Sequence, residues 1–339
     1  MRNDDRIAAS PRSAFGRTGR GALFFVALHG GLLAGGLSPA DGDTIRWVDF
    51  DVPYEALDYA LELDIQSHTE GEVPLNWVEL LACVAARQGG FSGYRQSQLT
   101  AVADRLKSGE SIEKLTEKLP SYAYYREAYD AVLGGMVGVY QREVPDDEGE
   151  GTHLEWCYGL KAYSPIAQGY YYNDYDDFGT GRSYGYNRRH LGHDLMGSVG
   201  TPIIAVESGV VEAAGWNQYG GWRVGIRSLD GKRYYYYAHL RKDHPFAQGI
   251  EVGKTVTAGD VIGYLGRTGY SATENTNNID TYHLHFGLQL IFDESQKESD
   301  NEIWIDVYAL TRLLYRHRSA VVRAENGKDY VRKYTVKEP

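Results

Sequence analysis

From Arg189 onward the apolar period of the chain changes from helical to twofold, and that switch limits the folds open to it. "TPIIAVESGVVEAAG", "WRVGIRSLDGKRYYYYAHL", "KTVTAGDVIGYLGRTG" and "YHLHFGLQLIF" are short runs rich in Val, Ile and Tyr, broken by "ESG", "LDG", "TAGD" and "RTG". In "SLDGKR" the Asp-Gly pair tolerates the positive φ that a tight hairpin needs. Short strands joined by turns predict a mainly antiparallel β domain over 181–316. Upstream, from about Trp47 to Tyr140, the spacing is helical. Tyr54, Leu57, Ala60, Leu61 and Ile65 fall on one helix face, and Trp77, Leu80, Leu81, Val84 and Ala85 on another that Gly89-Gly90 stops. Shorter helices follow in "SQLTAVADRLKSGESIEKLTEKL" and "YAYYREAYDAVLGGMVGVY". The predicted class is therefore α+β, an N-terminal helical domain over 44–143 followed by the β domain. Between them, 144–180 reads as a linker, with acidic "VPDDEGEGTH" leading into a Tyr/Gly-rich loop. "IWIDVYALTRLLYRHRS" reads as one terminal helix, and 317–339 as a charged tail.

The first 40 residues are different. Five arginines (Arg2, Arg6, Arg12, Arg17 and Arg20) precede "GALFFVALHGGLLAGGLSPA", a short apolar stretch ending in small residues. This pattern predicts a secretory signal peptide or an uncleaved membrane anchor, and hence a secreted or cell-envelope location. The formal net charge of −11 argues against a nucleic-acid partner. Two cysteines, Cys83 and Cys157, are too few for a disulfide framework or a cysteine-rich metal site; they could pair or remain free thiols.

Six of the ten histidines lie between His190 and His285. In a strand, positions i, i+2 and i+4 share a face. His283 and His285 in "YHLHF" should therefore project together, with Leu284 turned to the core. The same parity places His239 on the face of Tyr237 and Tyr235. In "RRHLGHDLMG", His190 and Asp194 form the pair and His193 points away, as a hydrogen-bonding residue or a catalytic helper. Two imidazoles and a carboxylate with a fourth position left to water form the ligand set of a catalytic zinc site.

These blocks carry a resemblance. "HLGHDLMGSVGTPIIAVESGVV", "YAHL" and "HLHF", with "VTAGDVIGYLGRTG" ahead of the last, look like the signature blocks of the lysostaphin/LytM family of zinc endopeptidases. The resemblance spans about 188–290. It implies that His190, Asp194 and His285 bind Zn²⁺, and that His239 and His283 are the catalytic pair, in an order of proton transfer left open. It also implies a compact antiparallel β metallopeptidase domain and, as partners, the peptide stems or bridges of bacterial peptidoglycan. The alternative is a non-catalytic regulatory or scaffolding module of the cell envelope, against which all five positions are intact. Two departures stand out: His193 itself, and the long polar "YSATENTNNIDTY" before His283, expected to form a groove-edge loop. Tyr170 to Tyr172, Tyr184 and Tyr186 could line a groove or fill a core, and Arg182 and Arg188 could meet substrate carboxylates. The helix ending at Gln88 faintly resembles the first catalytic helix of lytic transglycosylases. Gln88 stands where their acid would be and cannot donate a proton, so a plain bundle or a lysozyme-like remnant is expected.

Overall fold

Five helices, α1 (Tyr54–Thr69), α2 (Trp77–Gln88), α3 (Gln96–Lys107), α4 (Ile112–Thr116) and α5 (Tyr122–Leu133), occupy the N-terminal part of this computed structural model. It describes residue 45 and residues 48–339 except 72, 147, 148, 150, 184–186 and 298. The signal or anchor expected at 1–40, Tyr184 and Tyr186 lie outside the described residues. Among those described, no helix is long and apolar enough to cross a membrane. Helix boundaries follow local chemistry. The Asn76 side chain accepts the Glu79 amide at the start of α2, and Gly89, at φ 75°, closes it by donating its N–H to the Ala85 carbonyl.

The strands begin with a hairpin, β1 (Val137–Pro145) and β2 (Thr152–Leu160), followed by β3 (Asn173–Asp174), β4 (Gly181–Ser183), β5 (Asn187–Arg189), β6 (His193–Met196) and β7 (Pro202–Ile204). Then come β8 (Gly209–Asn217), β9 (Gly221–Ser228), β10 (Arg233–Ala238), β11 (Thr255–Val256), β12 (Val261–Tyr264) and β13 (His283–Leu290). After β14 (Ile303–Ile305) and α6 (Tyr308–Leu314), the chain ends in β15 (Val321–Arg323), β16 (Tyr330–Arg332) and β17 (Val336–Lys337). The main sheet runs β11-β8-β9-β10-β13-β6-β3, with β14 also paired to β13, and its ladders are antiparallel. Asp230-Gly231 makes the β9–β10 turn as expected, with Gly231 at φ 77°.

Four sequence expectations change. The helical reading up to Tyr140 overshoots: Gly134 and Gly135 end α5, and β1 starts at Val137. The acidic stretch 144–153, read as a connector, lies at the tip of the β1–β2 hairpin. "IWIDVYALTRLLYRHRS" splits into β14 and α6, with a turn between them in which the Asp306 carboxylate accepts the Tyr308 amide. The charged tail also takes part in the fold, since β17 pairs with β1 to complete a three-stranded sheet.

A single apolar cluster joins helix residues such as Leu81, Trp77 and Tyr129 to sheet residues such as Tyr235, Phe286 and Leu288. At the join sits a buried ion pair. Arg233 donates to both oxygens of Glu207, at 2.7 and 3.0 Å, and to the Ala131 carbonyl at the end of α5, at 2.9 Å. Gly135 has no room for a β-carbon, which would strike the Glu207 carboxylate. The sequence there permits the close approach that the ion pair requires.

Candidate metal centre

The β6–β13 ladder builds the site. Its register sets His283 opposite Met196 and His285 opposite Asp194, while Leu284 faces the core, fully buried. His190 lies just ahead of β6 and returns to the same face. Three donor atoms then meet: His190 Nε2 stands 2.8 Å from His285 Nδ1 and 3.1 Å from Asp194 Oδ1, and His285 Nδ1 stands 3.3 Å from that same oxygen. Donors held about 2.0–2.1 Å from one ion at tetrahedral angles lie roughly 3.3 Å apart. Among the described residues this is the His/Cys/Asp/Glu group able to hold a metal ion.

Surrounding contacts orient the donors. His190 Nδ1 donates to the Asp177 carbonyl, 3.1 Å away, which leaves the Nε2 lone pair facing inward. Burial alone would raise the Asp194 carboxyl. Its contacts with His190 and His285, and the charges of His283 and His285, instead hold it well below the ordinary carboxylate range. Arg182 donates to the second Asp194 oxygen at 2.9 Å and to Asp177 at 2.5 Å. Burial pushes the His285 imidazole below its ordinary value and favours the neutral ligand form. Gly192 is required for space: a β-carbon there would meet the Phe286 carbonyl and the His285 ring within 3 Å.

Two further imidazoles face the same space. His239 Nδ1 donates to the Thr268 carbonyl at 2.9 Å and His283 Nδ1 to the Thr281 carbonyl at 3.1 Å, so both leave Nε2 free. His283 Nε2 is 3.6 Å from Asp194 Oδ1, and the His239 and His283 rings are centred 4.8 Å apart. Burial, followed by the neighbouring imidazoles His283 and His285, drives His239 well below its ordinary value. It is held neutral, as a proton acceptor must be.

All five predicted residues therefore come together, but His239 does so by a route that strand parity misses. Strand β10 stops at Ala238, and His239 has φ 63°. A positive φ at a non-glycine residue is uncommon and costs of order 1–2 kcal/mol. It turns the ring away from buried Tyr235 and Tyr237 and onto the cleft face of Tyr236 and Ala238. His193, by contrast, points inward as the alternation predicts. It bonds the Tyr175 carbonyl at 2.8 Å and Asp306 at 3.0 Å, completely buried.

The site opens into a cleft of about 630 Å³. Its wall includes Arg182 and Arg188 as expected, but the aromatic lining is Tyr219, Tyr234, Tyr236, Tyr270 and Trp304 rather than Tyr170 to Tyr172. Tyr172 is buried in the core. The polar insertion does border the cleft: Tyr270 and Ile279 line it, and Asn275 accepts from the Trp222 indole at 2.9 Å.

Residues 188–300 match the model of a known family, peptidase family M23. The segment belongs to that family. The chain is 34% identical over 168 residues to L-Ala–D-Glu endopeptidase of Bacillus subtilis, covering 47% of this chain and 49% of that protein. Lysostaphin of Staphylococcus simulans is 39% identical over 98 residues, 29% of this chain and 17% of its own. The chain thus spans about half the length of the first of these relatives and less of the second. A crystal structure from Ruminococcus gnavus, a candidate glycyl-glycine endopeptidase lytM, shares the fold at TM-score 0.50 and 22% identity, over 78% of this chain and 88% of that one.

Proposed function

We propose that this chain is a zinc-dependent endopeptidase, exported to the cell envelope, that hydrolyses peptide bonds in the stems or cross-bridges of bacterial peptidoglycan during wall remodelling. The observation that carries this reading is the convergence of His190, Asp194 and His285 on one point, with the free Nε2 atoms of His239 and His283 beside it. Two neutral imidazoles and one carboxylate with an open side suit zinc. An ion held by these three residues would supply a Lewis acid that makes water nucleophilic near neutral pH.

The protein's own groups perform the remaining chemistry. One of His239 and His283 takes the attacking water's proton at Nε2. The other, carrying a second proton at Nε2 as an imidazolium, donates to the oxygen that gains charge as the carbonyl becomes tetrahedral. The Thr268 and Thr281 carbonyls each accept from Nδ1, so Nε2 is the atom of each ring left to exchange a proton with the reactants. The tyrosine-lined cleft keeps a peptide beside these groups. The name of the B. subtilis relative, an L-Ala–D-Glu endopeptidase, supports a peptide-bond substrate. The test is incubation of the purified protein with cell-wall sacculi, with and without a chelator. Chelator-sensitive appearance of new peptide termini is expected; none would overturn the enzyme reading in favour of a binding module. Fractionation of cells producing the full chain checks export.

A further inference from the structure

Among the described residues the cleft holds two cations that the chemistry above does not use, exposed Arg189 and Arg223, and of these Arg223 has a buried donor. Arg182 is committed to Asp177 and Asp194, Arg188 to the Tyr270 hydroxyl at 2.5 Å, and Lys297 to Glu212 at 2.5 Å. The cleft acids are engaged as well: Asp194 by imidazoles and Arg182, Glu302 by the Trp304 indole at 2.8 Å. Arg223 lines the same cleft with no ion pair or hydrogen bond among the described residues, and its Nε is buried without a partner. Leaving a guanidinium donor buried and unpaired is costly unless a ligand completes it.

Sheet register explains why this arginine is uncovered. On β8 its opposite residue is Gly215. On β10, Tyr237 opposes Val224, so the next step sets Arg223 beside Ala238, whose other neighbour is His285. Arg223 thus lies in the same row as His285 and Asp194, flanked on both sides by residues too small to shield it. Two strand spacings, about 10 Å between Cα atoms, separate it from His285. The extended arginine side chain covers much of that span, within reach of a peptide residue adjoining the bond at the metal centre. A second buried donor, Gln289 Nε2, also lacks a partner and faces the cleft two steps beyond Gly287 on β13.

We propose that Arg223 is a specificity-determining residue that receives a carboxylate on the residue next to the cleaved bond, so that acidic peptides are preferred over their amidated forms. This rests on the peptidase reading of the site. A charge-assisted bond from a guanidinium to a carboxylate favours acid over amide by roughly 10- to 100-fold. The probes are acetyl-Gly-L-Ala-D-Glu-Gly-amide and its D-Gln counterpart, titrated calorimetrically into chelator-treated full-length protein. Wild type should bind the D-Glu peptide roughly 10- to 100-fold more tightly. In Arg223→Met and Arg223→Gln the ratio should fall to near one, with Arg223→Lys restoring part of it. A wild type with no preference, binding of neither peptide, or a preference that survives both neutral variants overturns the assignment. Because the readout is binding to metal-free protein, it separates from the sacculus assay: failure there removes the activity, failure here removes only the role of Arg223.

Discussion

His285 and His239 make different demands on the site, and single substitutions distinguish them. His285→Ala removes one of three converging donors, so metal content by elemental analysis should drop from about one ion per chain toward none, and peptide release with it. His239→Ala should keep the ion and lower kcat by roughly 10²- to 10⁴-fold, the usual worth of a positioned acid or base. Gly192→Ala tests the packing behind the ligand: its new methyl would press on the His285 ring and the Phe286 carbonyl. Metal affinity by competition with a chelating dye should fall about 10- to 100-fold, as when ligand orientation is disturbed. The five histidine and aspartate positions were legible in the sequence because strand alternation and block spacing both mark them. The aim of His239 was not, since one residue at positive φ reverses the alternation without changing any residue type. Arg223 and Tyr219 were not legible for another reason: their place in the cleft depends on strand neighbours and loops far away in the chain.

Between elements, the Glu207–Arg233 pair is where α5 meets the sheet. Glu207→Gln would leave the buried Arg233 with Asp230, 2.7 Å away, as its remaining acidic partner. Removing one member of a buried pair costs about 3–5 kcal/mol, and the retained Asp230 places the expected loss near the lower end, measured by urea denaturation. Hydrogen bonds from Thr152 and from the Thr335 backbone lower Glu143 from an ordinary 4.5 to about 2, tying β1 to the approach to β17. A depressed carboxyl pKa adds stability above the unfolded value, and that stability is lost as pH falls through the folded one. The urea midpoint of wild type should therefore exceed that of Glu143→Gln by a constant margin from pH 7 to 5, and the margin should close between about 4.5 and 2. Helices and central strands were readable from period alone. The α5–β1 boundary and the hairpin tip were not, because acidic and glycine-rich residues suit a turn and a linker equally.

Across the whole molecule, the donors come from positions 190, 194 and 285, so an ion bound there cross-links segments nearly a hundred residues apart. Zinc at about 100 times its Kd should add roughly 2.7 kcal/mol of stability. Thermal melts with and without chelator should show that gain in wild type, and His285→Ala should be indifferent to zinc. The pairing of β17 with β1 has a different consequence, one for biosynthesis. Gln141 and Arg142 find their partners at Lys337 and Val336. Until the ribosome has translated that far, the β17 side of Gln141 and Arg142 offers unpaired backbone groups to any neighbouring nascent chain. Crowded overexpression, where many such unfinished edges meet, is the condition under which the chain should first come out of solution.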